Sequence, residues 1–333
     1  MRSGSPPPPF AFLLVPVLYY LAATVAVSLT TMPDGVVTLW PATAVLLAAL
    51  LWFGGAGAPL FVASTLAADL AARYPGGFGA ESVLVAVINS GEACLAYWLL
   101  MRQRFDRRFL DLKDSVTFLF VGPGIAAALA ALLAAVASAY FRGGDALFPE
   151  SFRIRWFGDA LGLAIVTPFL LTLAERMRAA PAIPARFILR DAAVIAMMAV
   201  IVALLLWGRG EPVWGIPLGP FLLVPFVLYF SARAGPLAAG VGTFLFAGVV
   251  LYLVERQAGL FGQASPRTAV IVAQEFIFIV SQMALGLAAL LGQIRLRRSE
   301  LAAASAQLAR RAEVLDKRNA ALREAEAEVR LLN

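Results

Sequence analysis

Between Arg153 and Leu171 the chain reads RIRWFGDALGLAIVTPFLL, an apolar run with Asp159 near its start and Pro168 further in. An ionisable side chain in such a run is expensive, so it marks a pairing, a proton or ion, or a bound ligand. Other runs carry comparable groups. Asn89 and Glu92 are i,i+3 and share one helix face. Asp69 closes a shorter run, and Gln274 and Glu275 sit near the start of the last one, with Gln282 seven residues on continuing the face of Glu275. Trp40, followed by Pro41, and Trp156 open two of the runs. Asp69, Glu92, Asp159 and Glu275 form a carboxylate-rich set, with no cation inside a span to match them apart from arginines at the span ends.

These residue types support three kinds of chemistry. They can line a pocket for a small cationic or hydrogen-bonding ligand, or hold protons or ions that couple transport. Or they can join helices by hydrogen bonds worth roughly 0.6 kcal/mol each on average. Arg155 and Asp159 are i,i+4 and can pair at the interface. The tryptophans fit an interfacial belt. Pro168 removes the backbone bond to the carbonyl of Ala164 and is expected to kink its helix.

Catalytic chemistry has no counterpart here. The chain contains no histidine, hence no phosphoacceptor histidine, no histidine base and no histidine ligand. No G-x-x-x-x-G-K-[ST] loop or G-x-S-x-G elbow occurs. RGGDAL at 142–147 contains Gly-Gly-Asp without the rest of a cyclase signature. Cys94 is the only cysteine, which excludes an intrachain disulfide and argues against a cysteine-based metal site. No catalytic residue, metal or cofactor is assigned.

The elements that must position the polar set are membrane helices. Hydrophobic residues are 61% of the 333 and charged residues 14%, more apolar surface than a soluble domain can hide. The chain reads as an all-α membrane protein: a polytopic helical bundle followed by a cytoplasmic coiled-coil helix. Apolar runs fall near 10–31, 36–53, 56–72, 81–101, 115–140, 154–174, 189–208, 213–231, 235–253 and 268–294. That is about ten spans, or about eight if residues 36–72 form a re-entrant pair. Residues 1–9 are a proline-rich lead-in, 10–294 the membrane domain and 295–333 the coiled-coil helix.

Arg102, Arg104, Arg107, Arg108 and Lys113 crowd one connection, Arg176, Arg178, Arg186 and Arg190 another, and Arg295, Arg297 and Arg298 the exit. The other side carries Arg142, Arg153 and Arg155. This bias puts both termini in the cytoplasm. It also accounts for the net charge of +6 without invoking nucleic acid.

From Arg295 the composition changes. Leu301, Leu308, Leu315, Leu322 and Val329 recur every seven residues, with Asn319 at an a position. That is the seam of a parallel two-stranded coiled coil, so a homodimer is expected. Neither proline nor glycine follows Gly292, so a rigid rod leaves the membrane. It breaks off in mid-pattern, as expected of the front part of a longer protein with an output domain.

WPATAVLLAALLWFGGAGAPLF and GPFLLVPFVLYFSARAGPLAAG both read as span, small-residue turn, Pro-Leu, span, a weak internal repeat. With WFGDALGLAIVTPFLL, these segments make residues 10–295 resemble the type-one membrane-associated sensor domain, the MASE family. The strongest elements are Trp156-Phe157-Gly158-Asp159 with Pro168, and then Trp40-Pro41. Ala42, Thr43 and Ala44 depart from the second proline and Ser-Gly often found in the family. The resemblance implies a sensory module of the bacterial inner membrane, placed ahead of a histidine kinase, a diguanylate cyclase or a phosphodiesterase. Its stimulus is a small ligand, an ion or a membrane-protein partner. A secondary transporter with a coiled-coil tail is the rival expectation.

Overall fold

The computed structural model describes residues 7–30, 38–73, 79–109, 111–142, 148–179, 185–208, 219–258, 261 and 265–332. Among them there is no strand. The helices are α1 (Ala11–Thr30), α2 (Ala42–Phe53), α3 (Ala58–Arg73), α4 (Ala80–Arg102), α5 (Leu112–Leu119), α6 (Ala127–Arg142), α7 (Phe148–Ala179), α8 (Ala185–Trp207), α9 (Val224–Ala234), α10 (Pro236–Glu255) and α11 (Pro266–Leu332). They follow the apolar runs of the sequence. Side chains at Arg142, Arg186, Arg190, Leu322 and Val329, and the segment 143–147, lie outside the described residues.

Among the described residues, six stretches are long and apolar enough to cross a bilayer: Ala11–Ser28, Ala80–Arg102, Leu112–Phe141, Phe148–Ala179, Pro236–Glu255 and part of Pro266–Asn319. The remaining apolar helices are shorter. At 12 residues, α2 covers only about 18 Å of the ~30 Å hydrocarbon layer. The non-helical residues Thr38–Pro41 precede it inside the protein, adding at most about 14 Å. Every residue from Ala42 to Leu51 is buried, so α2 is apolar all round because it is enclosed all round.

Two glycines turn the chain in the same way. Gly54 closes α2 at φ 76°, ψ −167° and Gly235 closes α9 at φ 83°, ψ −162°. A side chain is strained at such φ, so glycine is required at both turns. The two turns therefore share a glycine conformation, although a 3₁₀ turn, Gly55–Gly57, follows the first and α10 follows the second directly. In the stretch Leu112–Arg142 a π-helical segment, Phe120–Ala126, separates α5 from α6. Pro123 inside it cannot donate to the carbonyl four residues back, which favours the wider turn.

α7 divides two apolar cores. Ala160, Leu163, Val166 and Leu171 join a core built from α1 to α6, whereas Leu161 and Ile165 join one built from α8 to α11. α11 runs unbroken for 67 residues, about 100 Å, with its first turns in the second core. Beyond Arg295 the described side chains are exposed: Leu301, Leu308 and Leu315 are 71%, 66% and 57% accessible, and Asn319 is exposed as well. The basic connection after α4 folds back on α2, where Arg107 donates to the Trp52 carbonyl at 2.7 Å and lies over its ring at 4.3 Å. That end of the bundle is the arginine-rich end.

Candidate functional site

Away from the arginine-rich end, α1, α3 and α4 meet at Asp69, which has no exposed surface. Its Oδ2 accepts from the Tyr19 hydroxyl at 2.8 Å and from Asn89 Nδ2 at 2.9 Å, and its Oδ1 accepts from Arg73 Nε, one helical turn on. These donors leave the carboxylate fully engaged, the condition for keeping a charge out of water. The Arg73 guanidinium also lies 4.5 Å from the centre of the Trp40 ring, a cation–π contact.

Through Trp40 the site reaches α7. The Trp40 amide donates to the Gly158 carbonyl at 3.2 Å. A Cβ on Gly162 would stand 2.0 Å from the Trp40 carbonyl oxygen and 3.1 Å from Pro41 Cα, so the two chains touch because position 162 has no side chain. Trp156 turns the other way. Its indole donates to the Pro123 carbonyl of the π-helical segment at 2.9 Å and stacks on Phe152.

Gln274 ties α11 to this centre. Its amide, fully buried, donates to the Thr38 carbonyl at 2.6 Å and to the Ile154 carbonyl at 3.0 Å. One side chain thus satisfies backbone groups of the lead-in to α2 and of α7. The Gln274 Oε1 and Trp40 Nε1 atoms are buried without a hydrogen-bond partner.

Glu92 is the least satisfied group. It is 2% exposed, and neither carboxylate oxygen has a hydrogen-bond partner. The Thr43 hydroxyl on α2 approaches it but falls outside hydrogen-bond geometry. Asp159, half-buried, is also within electrostatic reach of Glu92 and faces the charges of Arg155, Arg73 and Asp69.

Of the residues expected from the sequence, Trp40, Pro41, Asp69, Asn89, Glu92, Asp159 and Gln274 come together, and Trp156 adjoins them through α7. Glu275 does not join them: it pairs with Arg153 in a half-exposed bridge. Gln282 donates to its neighbour Ser281. Pro168, expected to kink its helix, lies within an unbroken α7 and lines a small cavity with Ala164, Ile165, Gly240 and Thr243. Arg155, expected to pair with Asp159, also donates to Ser138 at 3.0 Å, whose hydroxyl donates to Glu81 at 2.7 Å.

Sequence reasoning missed Tyr19, Arg73 and Thr38. Arg73 had a legible signal, since Asp69 and Arg73 are i,i+4. Tyr19, inside the first span, and Thr38, which contributes only a carbonyl, had none. No group of three or more acidic, cysteine or histidine side chains that could hold a metal ion occurs among the described residues.

A family model, MASE1, matches residues 11–295, which is the whole helical bundle up to the first basic residue of the exit. No curated protein matches the chain, and no solved structure does.

Proposed function

The chain belongs to the MASE1 family, a family of membrane-associated sensor domains, and from that premise we propose that it is the input module of a sensor histidine kinase. In this reading the arginine-rich end faces the cytoplasm, both termini lie there, and the protein resides in the bacterial inner membrane. A stimulus acts on the half of the bundle that holds Asp69, Glu92 and Asp159. The observation that carries the reading is a single one: Gln274 inserts the start of α11 into that polar centre, and the same helix continues without interruption to the exposed heptad leucines.

The coupling is mechanical. A ligand that favours one arrangement of Thr38 and Ile154 favours the α11 pose whose Gln274 meets both carbonyls. It can shift the poses only by its difference in affinity for them. The displaced rod then alters the pairing of Leu301, Leu308, Leu315, Leu322 and Val329 with the same residues of a second copy, with Asn319 fixing register. A diguanylate cyclase or a phosphodiesterase could be driven by the same rod.

Cysteine cross-linking tests the rod. In membranes, with Cys94 replaced by serine, single cysteines between 299 and 316 are expected to cross-link most strongly at positions 301, 308 and 315. Gln274→Leu should shift that pattern, and a Gly-Gly-Pro insertion at Ser299 should abolish the shift. A chimera joined in heptad register to a kinase core should change its autophosphorylation in parallel. No periodicity in the cross-links, or a pattern indifferent to Gln274, overturns the proposal. The rival reading, a secondary transporter, is favoured by the unsatisfied Glu92; solute accumulation in proteoliposomes that Glu92→Gln abolishes would replace ours.

A further inference from the structure

The polar centre is short of one positive charge. Asp69, Glu92 and Asp159 are its carboxylates, and Arg73 and Arg155 its guanidiniums. Arg73 is bonded to Asp69, and Arg155 acts on Asp159 while donating to Ser138. Glu92 is what remains. Among the described residues, the charged group that acts on it is Asp159, a like charge from α7. α3 contributes Asp69 and Arg73, already bonded to each other, and α1 contributes Tyr19, already bonded to Asp69. An ionised carboxylate buried in this way costs several kcal/mol unless a cation meets it.

α2 supplies an independent sign of an occupant. Thr43 has no exposed surface, its hydroxyl has no partner, and it is the α2 side chain that acts on Glu92. A carboxylate and a hydroxyl are hard oxygen donors, suited to a proton or a hard metal ion. One net negative charge calls for a single positive one. We propose that Glu92 and Thr43 bind one monovalent cation, a proton or an alkali-metal ion, between α2, α4 and α7. α2 follows directly on Thr38, whose carbonyl holds Gln274, so cation occupancy is one helix away from the pose of α11. The site itself stands on two buried groups without hydrogen-bond partners, the Glu92 carboxylate and the Thr43 hydroxyl. Its use as a stimulus rests on the sensory reading above.

The two parts are tested separately, with the full chain in nanodiscs. Thermal unfolding is followed against Na⁺ at fixed pH, with choline keeping ionic strength constant, and against pH at fixed Na⁺. A ligand that binds only the folded protein raises its stability as its concentration rises. The wild-type midpoint is therefore expected to climb with one of the two cations, beyond any climb in Glu92→Gln. The neutral glutamine variant should be flat to that cation and no less stable than the wild type when it is scarce. Thr43→Val should keep the response but move its midpoint concentration by about tenfold, the effect of one lost ligand bond. A Na⁺ response identifies an alkali ion, and a pH response without one identifies a proton. A wild type that matches Glu92→Gln in both titrations overturns the site, and so does a wild type flat to both. Should the cation respond as expected while the α11 cross-links stay the same with and without it, the site stands and the sensory coupling falls.

Discussion

Asp69 and Asp191 each accept from a tyrosine hydroxyl and from an arginine Nε, at opposite ends of the bundle. Asp69 meets Tyr19 and Arg73; Asp191 on α8 meets Tyr229 at 3.1 Å and Arg233 at 2.8 Å, both on α9. The chemistry is the same and the setting is not. Asp69 is sealed, takes a third donor from Asn89, and its arginine leans on Trp40. The Asp191 cluster sits beside the arginine-rich end, where Arg295 of α11 donates to the carbonyl of Ala232, next to Arg233. Asp191 is 8% exposed against 0% for Asp69, so water can replace a lost partner somewhat more readily at the second cluster. The sealed cluster can therefore fix the arrangement of α1, α3 and α4, while the other fastens α8 to α9 near the exit of the rod.

Breaking the two clusters one at a time sharpens this contrast. Asp69→Ala leaves a guanidinium, a phenol and an amide buried without their acceptor, and we expect a loss of about 3–5 kcal/mol in unfolding free energy. Asp191→Ala should cost clearly less; equal losses in a denaturant titration would show that burial is not what separates the two.

The next largest effect compares the glycine contacts of α7. Gly162→Ala drives a methyl into the Trp40 backbone at 2.0 Å, and an overpacked contact of this kind costs about 1–3 kcal/mol. In Gly240→Ala the new atom meets Phe169 Cβ at 3.0 Å and Cα at 3.3 Å, a much longer approach than 2.0 Å, so the thermal midpoint should fall less.

Gln274→Leu, which removes the buried donor shared by the Thr38 and Ile154 carbonyls, is expected to cost about 1–3 kcal/mol and to move the cross-linking pattern of α11. Its neighbour provides the smallest effect. Glu275→Gln removes a half-exposed ion pair with Arg153 and should change stability by about 0–1 kcal/mol, with the cross-links unaltered. A cross-linking shift in Glu275→Gln as large as that in Gln274→Leu would mean that the surface bridge, not the buried amide, sets the pose of α11.

Much of the architecture was legible because burial in lipid demands long apolar runs, and each run reads directly from composition. Gly54 and Gly235 were visible as small-residue turns, and both adopt the positive φ that favours glycine. The number of crossings was less legible. α2 is 12 residues long, and hydropathy cannot tell a short helix wrapped by protein from a short helix facing lipid. For the site, type and spacing pointed to Asp69, Asn89, Glu92 and Asp159 because charge in an apolar run is conspicuous. Glu275 and Gln282 were drawn in by the same rule, although they turn to a surface arginine and a neighbouring serine.

The sequence by itself determined that the chain is a helical membrane protein, that its basic connections share an end, and that one continuous helix leaves the bundle with a heptad pattern. These properties depend on local composition and period, which no distant contact can alter. Only the tertiary structure decided that Tyr19 and Arg73 close on Asp69, that Gln274 holds the carbonyls of Thr38 and Ile154, and that Glu92 is left without a partner. A hydrogen bond between residues 50 or 236 positions apart leaves no trace in spacing, because it is the packing of whole helices that sets which polar groups meet.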